Sequence, residues 1–198
     1  MRSETKLGIF TILLGIVISV FVYSGSDTKQ DLIRHELALF VGTKISIDDS
    51  LMVLLQKDYI SKEQEKSFSY KMVIYIDSVN CASCKIKTLF FWNEFLEMEK
   101  SGNVKFYFIF DSKKKDYVSS AYDDCNLKHS ILIDTCKVFR TRNSQLPNNP
   151  LMHCFLLNRE NKVIFVGNVA ESEKLEKIFK QIIINQIQEP SVEIINNY

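Results

Sequence analysis

The chain has 198 residues, of which 46% are hydrophobic and 25% are charged. This length and apolar fraction predict one folded domain rather than two. The 25 Lys and Arg residues nearly balance the 24 Asp and Glu residues, so the formal net charge is +1. A balanced, interspersed charge lacks the basic surface that binding to nucleic-acid phosphates requires, so we predict no nucleic-acid partner.

The N-terminal part contains an uncharged apolar run at residues 7–23, preceded by Arg2 and Lys6. A helix of this length spans roughly 25 Å, near the lower limit for crossing a hydrocarbon core of about 30 Å. We predict an N-terminal transmembrane helix in the inner membrane; cleavage near Ser24, as in an export signal, stays open. With the two basic residues on the cytoplasmic side, the rest of the chain would face the periplasm, where disulfides persist.

The predicted organisation has four parts. A cytoplasmic tip and anchor or signal segment comes first, then a stalk with an N-terminal extension, then the folded domain and a short tail. Their predicted ranges are 1–26, 27–67, 68–190 and 191–198.

The predicted stalk contains three kinds of pattern. Residues 28–40 carry apolar side chains at helical spacing among charges, and Gly42 is expected to end this amphipathic helix. Residues 43–55 alternate β-branched and polar side chains around a turn at 48–50, which predicts extended structure. The polar stretch 56–69 is interpreted as a surface connection.

The domain begins with a predicted strand, helix and strand. Residues 70–76 and 104–110 are short apolar runs rich in β-branched and aromatic side chains, which is typical of strands buried on both faces. Between them, residues 84–100 predict an amphipathic helix that Gly102 ends. Two strands joined by a helix over this distance predict parallel pairing. The predicted core residues of this helix are Ile86, Leu89, Phe90, Trp92, Phe95 and Leu96.

The rest of the domain continues the α/β pattern. Ser112 is predicted to cap a helix over residues 113–127, and residues 131–134 predict a third strand of the sheet. Residues 153–158 and 162–167 are two further apolar runs with a tight connection between them, which predicts a β-hairpin.

A terminal helix completes the predicted domain. Residues 172–188 place apolar side chains on one helical face, and the helix is expected to stop before Pro190.

The most informative motif is the CxxC formed by Cys81 and Cys84, at the point where the first buried strand gives way to the helix. The thiolate is the reactive form of cysteine, and a helix N-terminus lowers the pKa of a thiol in its first turn. Cys81 is therefore the candidate nucleophile, and Cys84 is placed to attack the resulting mixed disulfide. A structural disulfide is the competing interpretation, although so short a loop constrains the unfolded chain little.

The order of these elements resembles the thioredoxin fold, and specifically the membrane-tethered ResA and TlpA-like proteins of the bacterial envelope. The resemblance covers about residues 68–188, and its best-matching pieces are YIDSVNCASCK and HCFLLNRENKVIFVGN. It implies a three-layer α/β sandwich in which a central mixed sheet is flanked by helices. It also implies an extracytoplasmic thiol–disulfide oxidoreductase in which Cys81 attacks and Cys84 resolves. Its partners would be protein thiols or disulfides of the envelope, and it would hold no bound cofactor.

The sequence departs from this family at three positions. Asn80 replaces the aromatic residue that usually precedes the first cysteine, and no proline occurs between Cys84 and Pro147. The position of the family's cis-proline falls on Met152, whereas Pro150 lies two residues earlier. Either the loop shifts to bring Pro150 opposite the cysteines, or the protein lacks the cis-proline. In the second case, which we favour, Met152 and His153 are presented there.

Two other functions stay open at this stage. Cys81 and Cys84, with His153, are suitable ligands for Cu(I) or Zn(II), so the chain could be a metal-binding protein of the same fold. It could also be a non-catalytic binding module with a structural disulfide.

The remaining candidate groups are three cysteines and one carboxylate. Cys125 and Cys136 could form a second disulfide, which the sequence does not decide, and Cys154 is interpreted as an inert core thiol. Asp77 is interpreted as a turn carboxylate, with a role as proton acceptor for Cys84 as the alternative.

Overall fold

The computed structural model describes residues 29–57, 67–77 and 86–189. The chain divides into two compact units, residues 1–38 and 39–198. The predicted membrane run at 7–23 and the CxxC both lie outside the described residues. Within the described ranges, no helix has the length and apolar character needed to cross a membrane.

Six strands form one mixed sheet in the order β1-β4-β3-β2-β5-β6. The parallel pairs are β2 with β3 and β3 with β4, and the other neighbours are antiparallel. The predicted parallel pairing and the predicted hairpin, formed by β5 and β6, are therefore confirmed. The strands are β1 Val53–Leu55, β2 Tyr70–Ile76, β3 Val104–Asp111, β4 Ile131–Asp134, β5 Cys154–Leu157 and β6 Val163–Val166.

The described residues contain five α-helices besides the helical residues 86–88, and short 3₁₀ segments at Asp49–Leu51, Leu89–Glu94 and Pro150–Met152. The first helix was predicted at 28–40 and is observed at 29–40, followed by Gly42 at φ +85°. The helices are α1 29–40, α2 Glu97–Lys100, α3 Lys115–Asp123, α4 Val138–Arg142 and α5 Glu173–Ile184.

The segment that follows the CxxC differs from its prediction as one α-helix. Residues 86–88 are α-helical, and the chain then tightens into the 3₁₀ segment Leu89–Glu94 before α2. A 3₁₀-helix has three residues per turn, so side chains three apart lie above one another. Ile86, Leu89, Trp92 and Phe95 follow this spacing, and each is at most 3% exposed. Phe90 falls off this row and is 42% exposed, so its predicted place in the core is wrong.

Two other helices are shorter than predicted, and one of them is α5, observed at Glu173–Ile184 against the predicted 172–188. Helix α3 is shorter than the predicted 113–127, and Ser112 Oγ accepts from the Lys114 N–H at 3.2 Å, in the turn before the helix. The short helix α4 was not predicted.

Side chains from helices cover both faces of the sheet. On one face, Trp92 packs edge-on against Phe108 of β3, and Phe95 packs against Phe179 of α5. On the other, Phe139 of α4 lies against Tyr75 of β2, with 5.3 Å between ring centroids. The predicted three-layer α/β architecture is therefore confirmed for the described residues of 39–189.

The strand β6 at one edge of the sheet is partly covered by the chain segment 42–45. The Gly42 N–H donates to the Val163 carbonyl at 2.7 Å, and the Val163 N–H donates back to Thr43 at 2.9 Å. The Ile45 N–H donates to the Asn161 carbonyl at 2.9 Å. The segment thus engages the backbone of Val163, the first residue of β6, and of Asn161 in the turn before it.

Candidate functional site

The candidate site lies at the carboxyl end of β2. The described chain passes through Ile76 and Asp77, and resumes at Ile86 in helical conformation. Cys81 and Cys84 belong to the intervening segment, so the predicted attacking and resolving roles of the two thiols stay predictions. The surroundings of that segment can be described from the residues on either side.

A cleft of about 200 Å³ opens at this end of the sheet. Its walls come from the end of β2, the helical segment after the CxxC, the loop before β5 and the loop after β6. Its floor is formed by three apolar side chains, Ile76, Leu89 and Trp92, each of which is at most 4% exposed. The lining also includes Thr88, Pro150, Leu151, His153, Cys154, Asn168, Ala170 and Glu171.

The loop before β5 contains the two residues proposed for the cis-proline position. Every peptide bond among the described residues is trans, so Pro150 supplies no cis-proline. Pro150 instead begins the 3₁₀ turn Pro150–Met152. His153 follows that turn and lines the cleft, whereas Met152, which is equally buried, is not among the described residues that line it. The structure therefore agrees with the second alternative, in which the protein lacks the cis-proline. His153 is the residue that lines the cleft at this position.

His153 is only 2% exposed, and its imidazole ring lies close to Pro147, Tyr75 and Asp77. Its Nε2 lies 3.0 Å from the Pro147 carbonyl oxygen, and its ring stands edge-on to Tyr75 at 5.1 Å between centroids. A carbonyl can only accept, so Nε2 carries a proton, and Nδ1 lies 3.9 Å from an Asp77 carboxylate oxygen. Nδ1 is thus the nitrogen that could bind a metal. Among the described residues, no group of three or more His, Cys, Asp and Glu side chains could hold one.

Cys154 does not lie in the core as predicted. It is the first residue of β5, pairs with Ile74 of β2, is half-buried, and lines the cleft. A strand's first residue lies at the border between the sheet and its loops, which is why the alternation rule placed it too deep. The Cys154 thiol is therefore part of the lining of the cleft.

The order of strands and helices around the site identifies the fold. The strand that leads to the CxxC lies between a parallel strand and an antiparallel hairpin, and a terminal helix packs beside the segment after the CxxC. The chain has a thioredoxin-like fold. This confirms the fold that the resemblance implied.

Solved structures similar to this thioredoxin-like chain include three with low sequence identity. One is a protein assigned as the thiol:disulfide interchange protein DsbE from Chlorobium tepidum (17% identity, TM-score 0.44, 60% of this chain and 80% of that one). The second is a thioredoxin-like protein in its oxidised form (12%, 0.49, 74% and 97%). The third is assigned as a thiol-disulfide oxidoreductase from Bacteroides vulgatus (18%, 0.44, 60% and 75%). The sequence matches no protein-family model and no curated protein.

The other two cysteines of the thioredoxin-like domain are free thiols, so the suggested disulfide between them is not formed. Cys125 is 4% exposed, and its Sγ donates to the Ile86 carbonyl at 3.1 Å. Cys136 is exposed and follows β4. Cys125 thus connects the end of α3 to the first described turn after the CxxC.

A buried polar group beneath the site was missed by sequence reasoning. The Tyr75 hydroxyl donates to Asp111 Oδ2 at 3.0 Å, and Lys137 Nζ lies 3.6 Å from the same oxygen. Burial raises the pKa of the Tyr75 phenol, and the Asp111 charge raises it further, so the hydroxyl stays a neutral donor. Asp111 Oδ1 is buried without a hydrogen-bond partner among the described residues. The sequence signal was a tyrosine inside a strand predicted to be fully buried, since its hydroxyl needs a partner.

Proposed function

We propose that the chain is a thiol–disulfide oxidoreductase that acts on cysteines of other proteins through Cys81 and Cys84. The observation that carries the proposal is the location of the CxxC. In the sequence, the CxxC stands between Asp77, which follows β2, and Ile86, where the described chain resumes as a helix. Both of these flanking residues belong to a thioredoxin-like domain, and the end of β2 also lines a mostly apolar cleft. Such a cleft can receive a substrate next to a reactive thiol.

The reaction follows from thiol chemistry. In the reducing direction, the Cys81 thiolate attacks one sulfur of a substrate disulfide and releases the other as a thiolate. Cys84, as its thiolate, then attacks Cys81 in the mixed disulfide. The substrate leaves with both sulfurs reduced, and the protein holds a Cys81–Cys84 disulfide. The oxidising direction is the reverse, and the redox potential decides which one operates.

The first experiment measures the midpoint potential of the Cys81–Cys84 pair in the full chain, kept in mild detergent. Thiols are alkylated after equilibration in glutathione or dithiothreitol buffers, and the modified cysteines are located by mass spectrometry. A reversible couple between about −120 and −270 mV supports an exchange catalyst. A pair that resists reduction below about −300 mV is a structural disulfide and contradicts the proposal. Cys136→Ser, which removes an exposed thiol that follows another strand, is the matched control and should leave the potential unchanged.

We also propose that the domain lies outside the cytoplasm, because the apolar run 7–23 follows two basic residues. Cys136 offers a direct test, because its thiol is exposed. A membrane-impermeant maleimide should label Cys136 in intact cells, and Cys136→Ser should remove that label. Labelling only after lysis would contradict this location.

A metal-binding function is the second candidate, favoured by the orientation of His153. Its Nε2 faces a backbone carbonyl, an arrangement that in metal sites fixes the ring so that the other nitrogen can bind. Stoichiometric Cu(I) or Zn(II) on the purified chain, lost in His153→Gln and in Cys81→Ser, would support this function. Metal-free protein after purification and metal addition would contradict it.

A further inference from the structure

The loop that forms one wall of the cleft has no backbone donor to offer. Pro150 has no N–H, and the Leu151 N–H donates to the Asn149 side chain at 3.1 Å. The Met152 N–H donates to the Asn149 carbonyl at 3.0 Å, and the His153 N–H to the Pro150 carbonyl at 3.2 Å. The turn Pro150–Met152 therefore uses its own amides.

The strand beside the cleft is also closed to a second chain. β5 has a neighbour on each side, since it lies between β2 and β6. Its first carbonyl, that of Cys154, already accepts the Gly167 N–H at 2.7 Å. An extended peptide that adds to a sheet needs a row of free backbone groups. Neither the wall of the cleft from 150 to 153 nor β5 supplies that row.

The cleft itself is suited to one large apolar side chain. Its volume is about 200 Å³, below the roughly 300 to 1,000 Å³ typical of drug-sized ligands. An apolar cavity of about 150 Å³ holds a benzene molecule, so this one has room for one aromatic or large aliphatic side chain. The floor is the buried trio Ile76, Leu89 and Trp92, and Leu151 is 70% exposed on the rim. Leu151 is an apolar side chain that an occupant would cover.

The charge at the rim of the cleft indicates which kind of residue stands next to the apolar side chain in a bound polypeptide. Among the described residues that line the cleft, Glu171 is an exposed acidic side chain. An exposed carboxylate attracts a cation modestly and in a salt-dependent way. A basic residue beside the apolar one would complement it.

We infer that this site selects a polypeptide substrate by one large apolar side chain next to its cystine, with a basic residue beside it, and without backbone pairing. The inference rests on the proposed exchange function. The apolar side chain fills the cleft between Trp92 and Leu151, and the basic group faces Glu171. The substrate's backbone stays in solvent at this loop.

The test uses disulfide-linked homodimers of short peptides and the reduced full chain. One chain dithiol and one peptide dimer yield one chain disulfide and two peptide thiols, which are separated after acid quenching. The residue next to the cysteine is Phe or Ala, and a third peptide carries N-methyl groups on the backbone around Phe. Burial of one aromatic side chain predicts that the Phe peptide reacts about tenfold faster than the Ala peptide. The N-methylated peptide should react within about twofold of its parent.

The matched control compares two exposed leucines. Leu151→Ala should reduce the preference for Phe to about threefold or less, whereas Leu54→Ala, on the distant strand β1, should leave it unchanged. Glu171→Gln should remove a preference of about threefold for Lys over Glu beside the Phe at low salt.

Two results would overturn this inference alone. Equal rates for the Phe and Ala peptides would exclude the side-chain pocket, and a tenfold loss on N-methylation would show that substrates pair by their backbone. In both cases exchange itself proceeds, so the proposed function stands. If neither the peptides nor hydroxyethyl disulfide reacts, both the function and the inference are wrong.

Discussion

Two aspartates at the same edge of the sheet are buried to a similar extent but have different surroundings. Asp111 ends β3 and Asp134 ends β4, and the two are directly paired in register. Asp134 is fully buried and accepts the N–H groups of Cys136, Val138 and Phe139. Asp111 is 3% exposed, and the hydrogen bond it accepts comes from a side chain, that of Tyr75.

The two aspartates therefore differ in their donors: Asp134 accepts hydrogen bonds from backbone N–H groups, and Asp111 accepts one from a side chain. Asp134 satisfies the N–H groups that begin helix α4, so the connection after β4 depends on it. The polar partners shown for Asp111 are the side-chain ends of Tyr75 and Lys137, and one of its oxygens has no hydrogen-bond partner in the described part of the chain. Burial alone therefore does not predict what a carboxylate contributes to stability; its partners do.

The largest expected effect is that of Asp134→Ala. It leaves three backbone N–H groups without their acceptor inside the protein, and each such loss costs about 1 to 3 kcal/mol, so the free energy of unfolding should fall by about 3 kcal/mol or more. Urea unfolding measures the change. Asp134→Asn keeps one carbonyl oxygen and should lose less. A loss below about 1 kcal/mol for the Ala variant would remove the distinction between the two aspartates.

A smaller effect is expected for Tyr75→Phe, which removes the hydrogen bond to Asp111. The loss at pH 8 should be about 1 to 2 kcal/mol, because a buried carboxylate loses its donor. Urea unfolding of both proteins at pH 8, 10 and 11 measures it.

The same pair should show a pH dependence with a definite sign. The pKa of Tyr75 is raised by burial, so the folded protein holds this proton where the unfolded chain, with an ordinary value of about 10, releases it. The stabilisation is complete below about pH 10 and is lost as the pH rises further. The difference between wild type and Tyr75→Phe should therefore shrink from pH 8 to pH 11. A constant difference would contradict the raised pKa, and the raised pKa of Tyr70, common to both proteins, cancels.

The smallest effect is expected for Asp111→Asn. Asparagine keeps a carbonyl oxygen for the Tyr75 hydroxyl and removes the cost of burying a charge. The contact with Lys137 is half-exposed and contributes little. The free energy of unfolding should change by less than about 1 kcal/mol. A loss of 2 kcal/mol or more would place Asp111 in the same structural class as Asp134.

The sheet was more predictable than the segments around it. The runs at 70–76 and 104–110 were located within one residue, because short runs rich in β-branched and aromatic side chains are typical of buried strands. Helix α4 was missed because it is only five residues long and contains a single buried side chain, Phe139, so no periodicity marks it. After the CxxC, apolar residues at both three- and four-residue spacing left the 3₁₀ and α-helical interpretations equally consistent with the pattern.

The candidate site was predictable in its location but not in its walls. The end of a buried strand before the CxxC identified the edge of the sheet. The 3₁₀ turn at Pro150–Met152 depends on the side chain of Asn149, a local hydrogen bond that hydrophobic patterns do not report. The exposure of Cys154 to the cleft depends on where β5 begins, which sequence patterns locate only to within a few residues.

The segment 42–45 along β6 has a consequence for how the protein resists aggregation. An uncovered edge strand is a template on which strands of other molecules can assemble, and natural sheets protect or shorten such edges. Here the chain's own segment covers the first residue of one edge strand, Val163 of β6, and the opposite edge strand, β1, is only three residues long. We therefore expect self-association to begin in those molecules in which residues 42–45 have separated from β6.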